Sequence, residues 1–137
     1  MEITPYSPEI RFSDIDAMGH VNNAVYFSYF EQARINYFRQ LVGGQWNWKQ
    51  FGVLVAHNEI DYKIPVLLND TITIHVAIES MGMKSFTVFY RIVRQDGVLC
   101  ASGRSVMVCF DHAAGQSIAI PPVWREKMEI LSASQDN

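Results

Sequence analysis

The chain has 137 residues, a formal net charge of −3, 49% hydrophobic residues and 18% charged residues. This length fits one domain with one real hydrophobic core, and this composition excludes a disordered or coiled-coil chain. The acidic balance argues against nucleic acid as a general partner, because a polyanion needs a basic face.

The opening stretch Met1 to Tyr6 has neither a basic cluster nor an apolar run, so no signal peptide is expected. The longest apolar runs fall well short of a membrane span, so no membrane partner is expected and the expected location is cytoplasmic. Glu9 to Phe12 reads as a short first strand. Residues 14–34 follow with two carboxylates, a glycine, a histidine and two asparagines directly before an aromatic-rich helical pattern. Charged and polar groups against a buried helix start are costly unless something uses them, and a helix N-terminus offers unpaired N–H donors and partial positive charge.

Ala24 to Val42 reads as one helix, with Tyr26, Phe30, Ala33, Tyr37 and Leu41 at helical spacing. Asn22 or Asn23 can cap its start, and Gly43-Gly44 ends it. Beyond residue 52 the pattern is strands. Val53 to Ile64 is the first, closed by Pro65. Alternation then marks Thr71 to Glu79 and Phe86 to Ile92, Val98 to Phe110 reads as a long, mostly apolar strand, and turns fall at Met81-Gly82 and Asp96-Gly97. Cys100 and Cys109 share the last strand, where they cannot meet, so both read as reduced and structural. Pro121-Pro122 opens a short final helix through Leu131, leaving residues 1–131 as a single domain and 132–137 as a flexible tail. The expected class is α+β, a long helix wrapped by a curved antiparallel sheet. Apolar residues on the other sheet face point to a second subunit.

The string Asp14-Ile-Asp16-Ala-Met-Gly19-His20-Val-Asn22-Asn23-Ala-Val-Tyr26, followed by Glu31 and Arg34, strongly resembles the hotdog-fold thioesterases of the 4-hydroxybenzoyl-CoA thioesterase family. Weaker matches are Ile60-Asp61-Tyr62 with Pro65, Asn69-Asp70 and Lys84-Ser85-Phe86. The resemblance spans residues 8–112. It implies a hotdog-fold hydrolase of acyl-coenzyme A thioesters, with no metal or cofactor, working as a homodimer or homotetramer.

On that resemblance Asp16 is the expected catalytic carboxylate, either activating water or attacking the acyl carbon. The backbone N–H of Asn23 is the expected oxyanion donor. His20 completes the expected catalytic set in a structural or substrate-orienting role, since relatives with different spacing lack it and keep the aspartate. Asp14 is expected to bond local backbone N–H groups, although an extended segment would aim it the same way as Asp16. Gly19 is expected to supply a special backbone conformation, and Asn22 a helix cap. Lys84 and Ser85, with Tyr26, are the expected substrate-binding residues. Lys63, Arg91 and Arg104 are alternative phosphate contacts. His57, His75 and His112 read as ordinary. The competing readings are release of a chain from a carrier protein, a dehydratase, for which no histidine motif is present, and a non-catalytic acyl binder. Aromatic residues such as Tyr26, Phe27, Phe51 and Tyr62 would shape the acyl pocket.

Overall fold

The computed structural model describes residues 2–135. A 3-10 turn, Phe12–Asp14, precedes the long helix α1, Val25–Val42. Strands β1 (Gly52–Tyr62), β2 (Ile72–Met81), β3 (Ser85–Arg94) and β4 (Leu99–Asp111) follow, then the short β5 (Gln116–Ser117) and helix α2 (Pro122–Gln135). The sheet is antiparallel in the order β1-β4-β3-β2, with β5 pairing the end of β4.

The aromatic stripe makes α1 a core helix. Tyr26, Tyr29, Phe30, Ala33, Tyr37, Phe38 and Leu41 are all buried. They meet the alternate residues Ile72, Ile74, Phe86, Val88, Tyr90 and Ile92 of β2 and β3 in one hydrophobic cluster. Phe30 stacks on Tyr90 with ring centroids 4.1 Å apart. Such a pair adds about 0.5–1.5 kcal/mol beyond the area it buries. Opposite that ring lies Gly103, where an added Cβ would stand 2.6 Å from both Phe30 and the Glu59 carbonyl oxygen. From the far end of the chain Trp124 of α2 stacks on Phe38 and meets Phe86, Trp46 and Trp48. Gly43 ends α1 at φ +83°, its N–H bonded to the Arg39 carbonyl.

Helix α1 does not cover β1. Within that strand only Gly52 is buried and Val53 and Ile60 half-buried, so Leu54, Val55 and Tyr62 are exposed. The other edge is better protected: Tyr6 exchanges two backbone hydrogen bonds with Ile74 of β2.

Two expectations fail. Glu9 to Phe12 is not a strand: Tyr6 makes the edge contact instead, and Phe12 is 82% exposed, so its alternating pattern faces no core. Helix α2 also ends at Gln135 rather than at Leu131, with Ser132 Oγ donating to the Ile78 carbonyl at 3.3 Å. Residues 136 and 137 of the expected tail lie outside the described residues. Both cysteines are free and buried in β4, as expected.

Candidate active site

The polar segment before α1 folds as a tight loop. Ile15 bridges Val21, the Asp16 N–H donates to the His20 carbonyl at 2.8 Å, and the Gly19 N–H returns to the Asp16 carbonyl at 3.1 Å. Gly19 sits at φ +80°, a left-handed conformation that a Cβ disfavours. Asp16 Oδ1 accepts from the N–H groups of Met18 at 2.9 Å and His20 at 3.2 Å. Among the described residues its second oxygen accepts no hydrogen bond. One oxygen therefore anchors the carboxylate and the other is available.

The loop is moored on its far side. The Val21 N–H donates to the Val66 carbonyl at 2.8 Å, and His20 bridges Leu67. This brings the segment after β1 alongside α1. Asp16, His20, Asn23 and Tyr26 line one cleft of about 280 Å³ with Tyr62 and Lys63. The Tyr62 hydroxyl donates to the Asn23 carbonyl at 2.7 Å, and its ring meets Tyr26 edge-on at 5.0 Å. Burial pushes the Tyr26 hydroxyl pKa upward despite a backbone hydrogen bond with Val66, so that phenol stays neutral near pH 7.

Asn22 and Asn23 divide the helix start between them. Asn22 Oδ1 accepts the Ala24 N–H at 2.9 Å, a local turn ahead of the helix, whose N-cap Ala24 carries no side-chain cap. The Asn23 N–H finds no acceptor among the described residues. A free donor at the positive end of α1 thus shares a cleft with a half-free carboxylate. The His20 ring makes no hydrogen bond or ion pair with Asp16, so the two do not form a dyad within the chain.

Asp14 points elsewhere. Its Oδ2 accepts the Arg11 N–H at 3.0 Å and the Tyr29 hydroxyl at 2.7 Å. It lines a different depression from Asp16, beside Glu9 and Gln32. Ile15 between the two aspartates is extended, but Asp14 itself closes the 3-10 turn Phe12–Asp14, so the alternation of an extended strand does not apply to it.

The expected substrate residues separate. Tyr26 is in the cleft, but Lys84 and Ser85 are not. Ser85 pairs with Val108 while Tyr62 pairs with Ala101 on the same strand β4. At about 3.3 Å per residue that offset exceeds about 20 Å. Arg104 is committed to Glu79 through two bonds of 2.8 and 2.9 Å and lies over the Phe89 ring. Arg91 lines another cavity altogether. Lys63, one of the alternatives, is the cation that lines the Asp16 cleft. Its place follows from Pro65, which stops β1 and turns the chain toward Val21. A second groove of about 490 Å³ runs between α1 and β1, walled by Phe38, Trp48, Val53, Val55 and Met107. Among the described residues no group of three or more His, Cys, Asp or Glu could hold a metal ion, and no helix is long and apolar enough to cross a membrane.

A model of the thioesterase-like superfamily matches residues 10–128. The chain is 34% identical over 110 residues to the uncharacterized protein YsmA of Bacillus subtilis (strain 168), covering 80% of this chain and 74% of that one. It is 28% identical over 123 residues to the long-chain acyl-CoA thioesterase FadM of Escherichia coli (strain K12), covering 88% and 93%. A solved thioesterase from Thermus thermophilus, complexed with coenzyme A and Zn, superposes with a TM-score of 0.82 at 33% identity over 97% of this chain and 98% of that one. The matched span takes in the Asp16 loop, α1 and the whole antiparallel sheet. The chain belongs to the thioesterase-like superfamily, as a thioester hydrolase with the hotdog fold.

Proposed function

We propose that the protein hydrolyses acyl-coenzyme A thioesters to free acid and coenzyme A in the Asp16 cleft. One observation carries this reading. A carboxylate with one unengaged oxygen and an unpaired helix-start N–H from Asn23 line the same small cleft. A thioester carbonyl bonded to the Asn23 N–H gains stabilisation as its oxygen becomes negative. Asp16 then either draws a proton from the attacking water or adds to the acyl carbon itself. His20 and Tyr26 orient the thioester. The groove between α1 and β1 is of a size to take an acyl chain.

The working unit in this reading is a homodimer. An 11-residue strand with Leu54 and Val55 exposed and one free edge is a template for a second copy of itself. The coenzyme nucleotide meets Lys63 at its own cleft and the Lys84-Ser85 corner of a partner. The test is thiol release from a panel of short, long and aromatic acyl-CoAs. Turnover of at least one is expected. Failure on every acyl-CoA with turnover of acyl-carrier-protein thioesters would overturn the coenzyme assignment. Failure on both would overturn the reading.

A further inference from the structure

The two halves of the Asp16 cleft are held unequally. Asp16 is wired into its own loop, through the Met18 and His20 N–H groups at its carboxylate and through the His20 carbonyl and Gly19 N–H at its backbone. Asn23 makes one hydrogen bond among the described residues, the 2.7 Å contact in which its carbonyl accepts from the Tyr62 hydroxyl. Its N–H and its side chain find no partner there. The bonds that bracket it, from the N–H groups of Ala24 and Val25, both close on Asn22. Asn23 is also exposed, so packing does not fix it either.

Tyr62 supplies what this helix start lacks. It is the last residue of β1, and its backbone pairs with the buried Ala101 of β4. Its ring meets the buried Tyr26, in the first turn of α1, edge-on at 5.0 Å. A phenol ring is rigid, so its hydroxyl follows the strand that carries it. Burial pushes the Tyr62 pKa upward, so the hydroxyl keeps its proton near neutral pH and donates.

We propose that Tyr62 is the positioning residue of the oxyanion donor: its hydroxyl ties Asn23 to the sheet and so aims the Asn23 N–H at the thioester oxygen. This role rests on the Asp16 and Asn23 reading of the cleft. Tyr62 acts through Asn23 and touches no reacting atom. An oxyanion donor stabilises the developing charge best when it is already in place, and a misplacement of about 1 Å can cost about a hundredfold. The Tyr62 bond meets the Asn23 carbonyl rather than its N–H. Its loss therefore loosens the donor without removing it, and the expected cost is about tenfold, below the roughly 10²–10³-fold for a missing donor.

The test is Tyr62→Phe in the full chain, which keeps the ring and deletes the hydroxyl. With an acyl-CoA that the parent turns over, kcat should fall about tenfold and KM should stay within about twofold, because the donor matters most once the oxygen is negative. The melting temperature should not change, since Tyr62 is half-exposed and water can serve the Asn23 carbonyl. Backbone amide signals of the ligand-free protein give a readout independent of turnover. Those of Asn23 and Ala24 should move or broaden, and those of Met18 and His20 should stay. A kcat within about twofold of the parent, a raised KM at unchanged kcat, or Met18 and His20 signals that move as far as that of Asn23 would each overturn the role of Tyr62 while the Asp16 reading stands. A parent without turnover of any thioester would overturn both.

Discussion

The Tyr29 hydroxyl donates to Asp14 Oδ2 at 2.7 Å, tying α1 to the segment that leads into the Asp16 loop. Removing that hydroxyl leaves a half-buried carboxylate oxygen with the Arg11 N–H as its remaining partner. Tyr29→Phe should therefore lower stability by about 1–2 kcal/mol. Urea denaturation of the variant and the parent gives the figure. An unchanged midpoint would show that water replaces the bond without loss.

Asp16→Asn keeps an oxygen for the Met18 and His20 N–H groups, so the loop should hold its shape. Loss of an acid–base or nucleophilic carboxylate should lower kcat by at least about a hundredfold. Asp16→Ala should add a stability loss, since two N–H donors then lose their acceptor. Near-normal turnover by the asparagine variant would remove Asp16 from the chemistry.

The two lysines should behave differently. Lys84→Ala should raise KM for acyl-CoA and largely spare kcat, because an exposed phosphate contact is equal in ground and transition states. It should leave a truncated acyl-pantetheine thioester almost unaffected, and its penalty should shrink with added salt. Lys63 lines the Asp16 cleft, so Lys63→Ala should impair both substrates. Equal losses from Lys84→Ala on both substrates would show that it holds the fold rather than the nucleotide.

Light scattering should give at least twice the 15.7 kDa of one chain. Val55 is exposed on β1, so Val55→Glu costs the single chain little but places repelling charges where two copies meet. It should shift the mass toward one chain at micromolar concentration. A single-chain mass for the parent at every concentration would contradict the β1 pairing.

Burial pushes the Cys109 thiol up to about 11, against an ordinary value of 9.0. A raised folded value means the fold favours the neutral thiol. That contribution is complete below about pH 9 and is lost as pH rises toward 11. Iodoacetamide at about pH 8 should label neither buried cysteine in the native protein and both after unfolding. Cys109→Ala should flatten the stability loss between about pH 9 and 11, measured by denaturant midpoints.

Helix α1 and strands β2 and β3 were legible from their periodic apolar patterns and β4 from its long apolar run, whereas β1, which buries little, has no such period. The Asp16 loop was legible as a motif. Its internal wiring was not, because the 3-10 turn that ends at Asp14 takes that carboxylate out of an extended alternation, and Asp14 and Asp16 line different depressions. Lys63 and Tyr62 joined the cleft through backbone bonds of Val21 to Val66, a tertiary contact with no local pattern. Glu9 to Phe12 misled because alternation marks a strand only where an edge and a core await it. The extension of α2 past Leu131 rests on Ser132 reaching Ile78, again a distant partner.

Gly103 has no side chain of its own, yet it gauges the separation between two layers. The Phe30 ring occupies the place where its Cβ would stand, with the β1 backbone just as close. Phe30 lies one turn beyond Tyr26 on α1, which begins two residues after Asn23. A methyl group at position 103 would push that stretch of the helix off the sheet and shift the Asn23 side of the cleft that Asp16 also lines. The width of the Asp16 cleft is thus set partly by an atom that is absent, on a strand that does not line it.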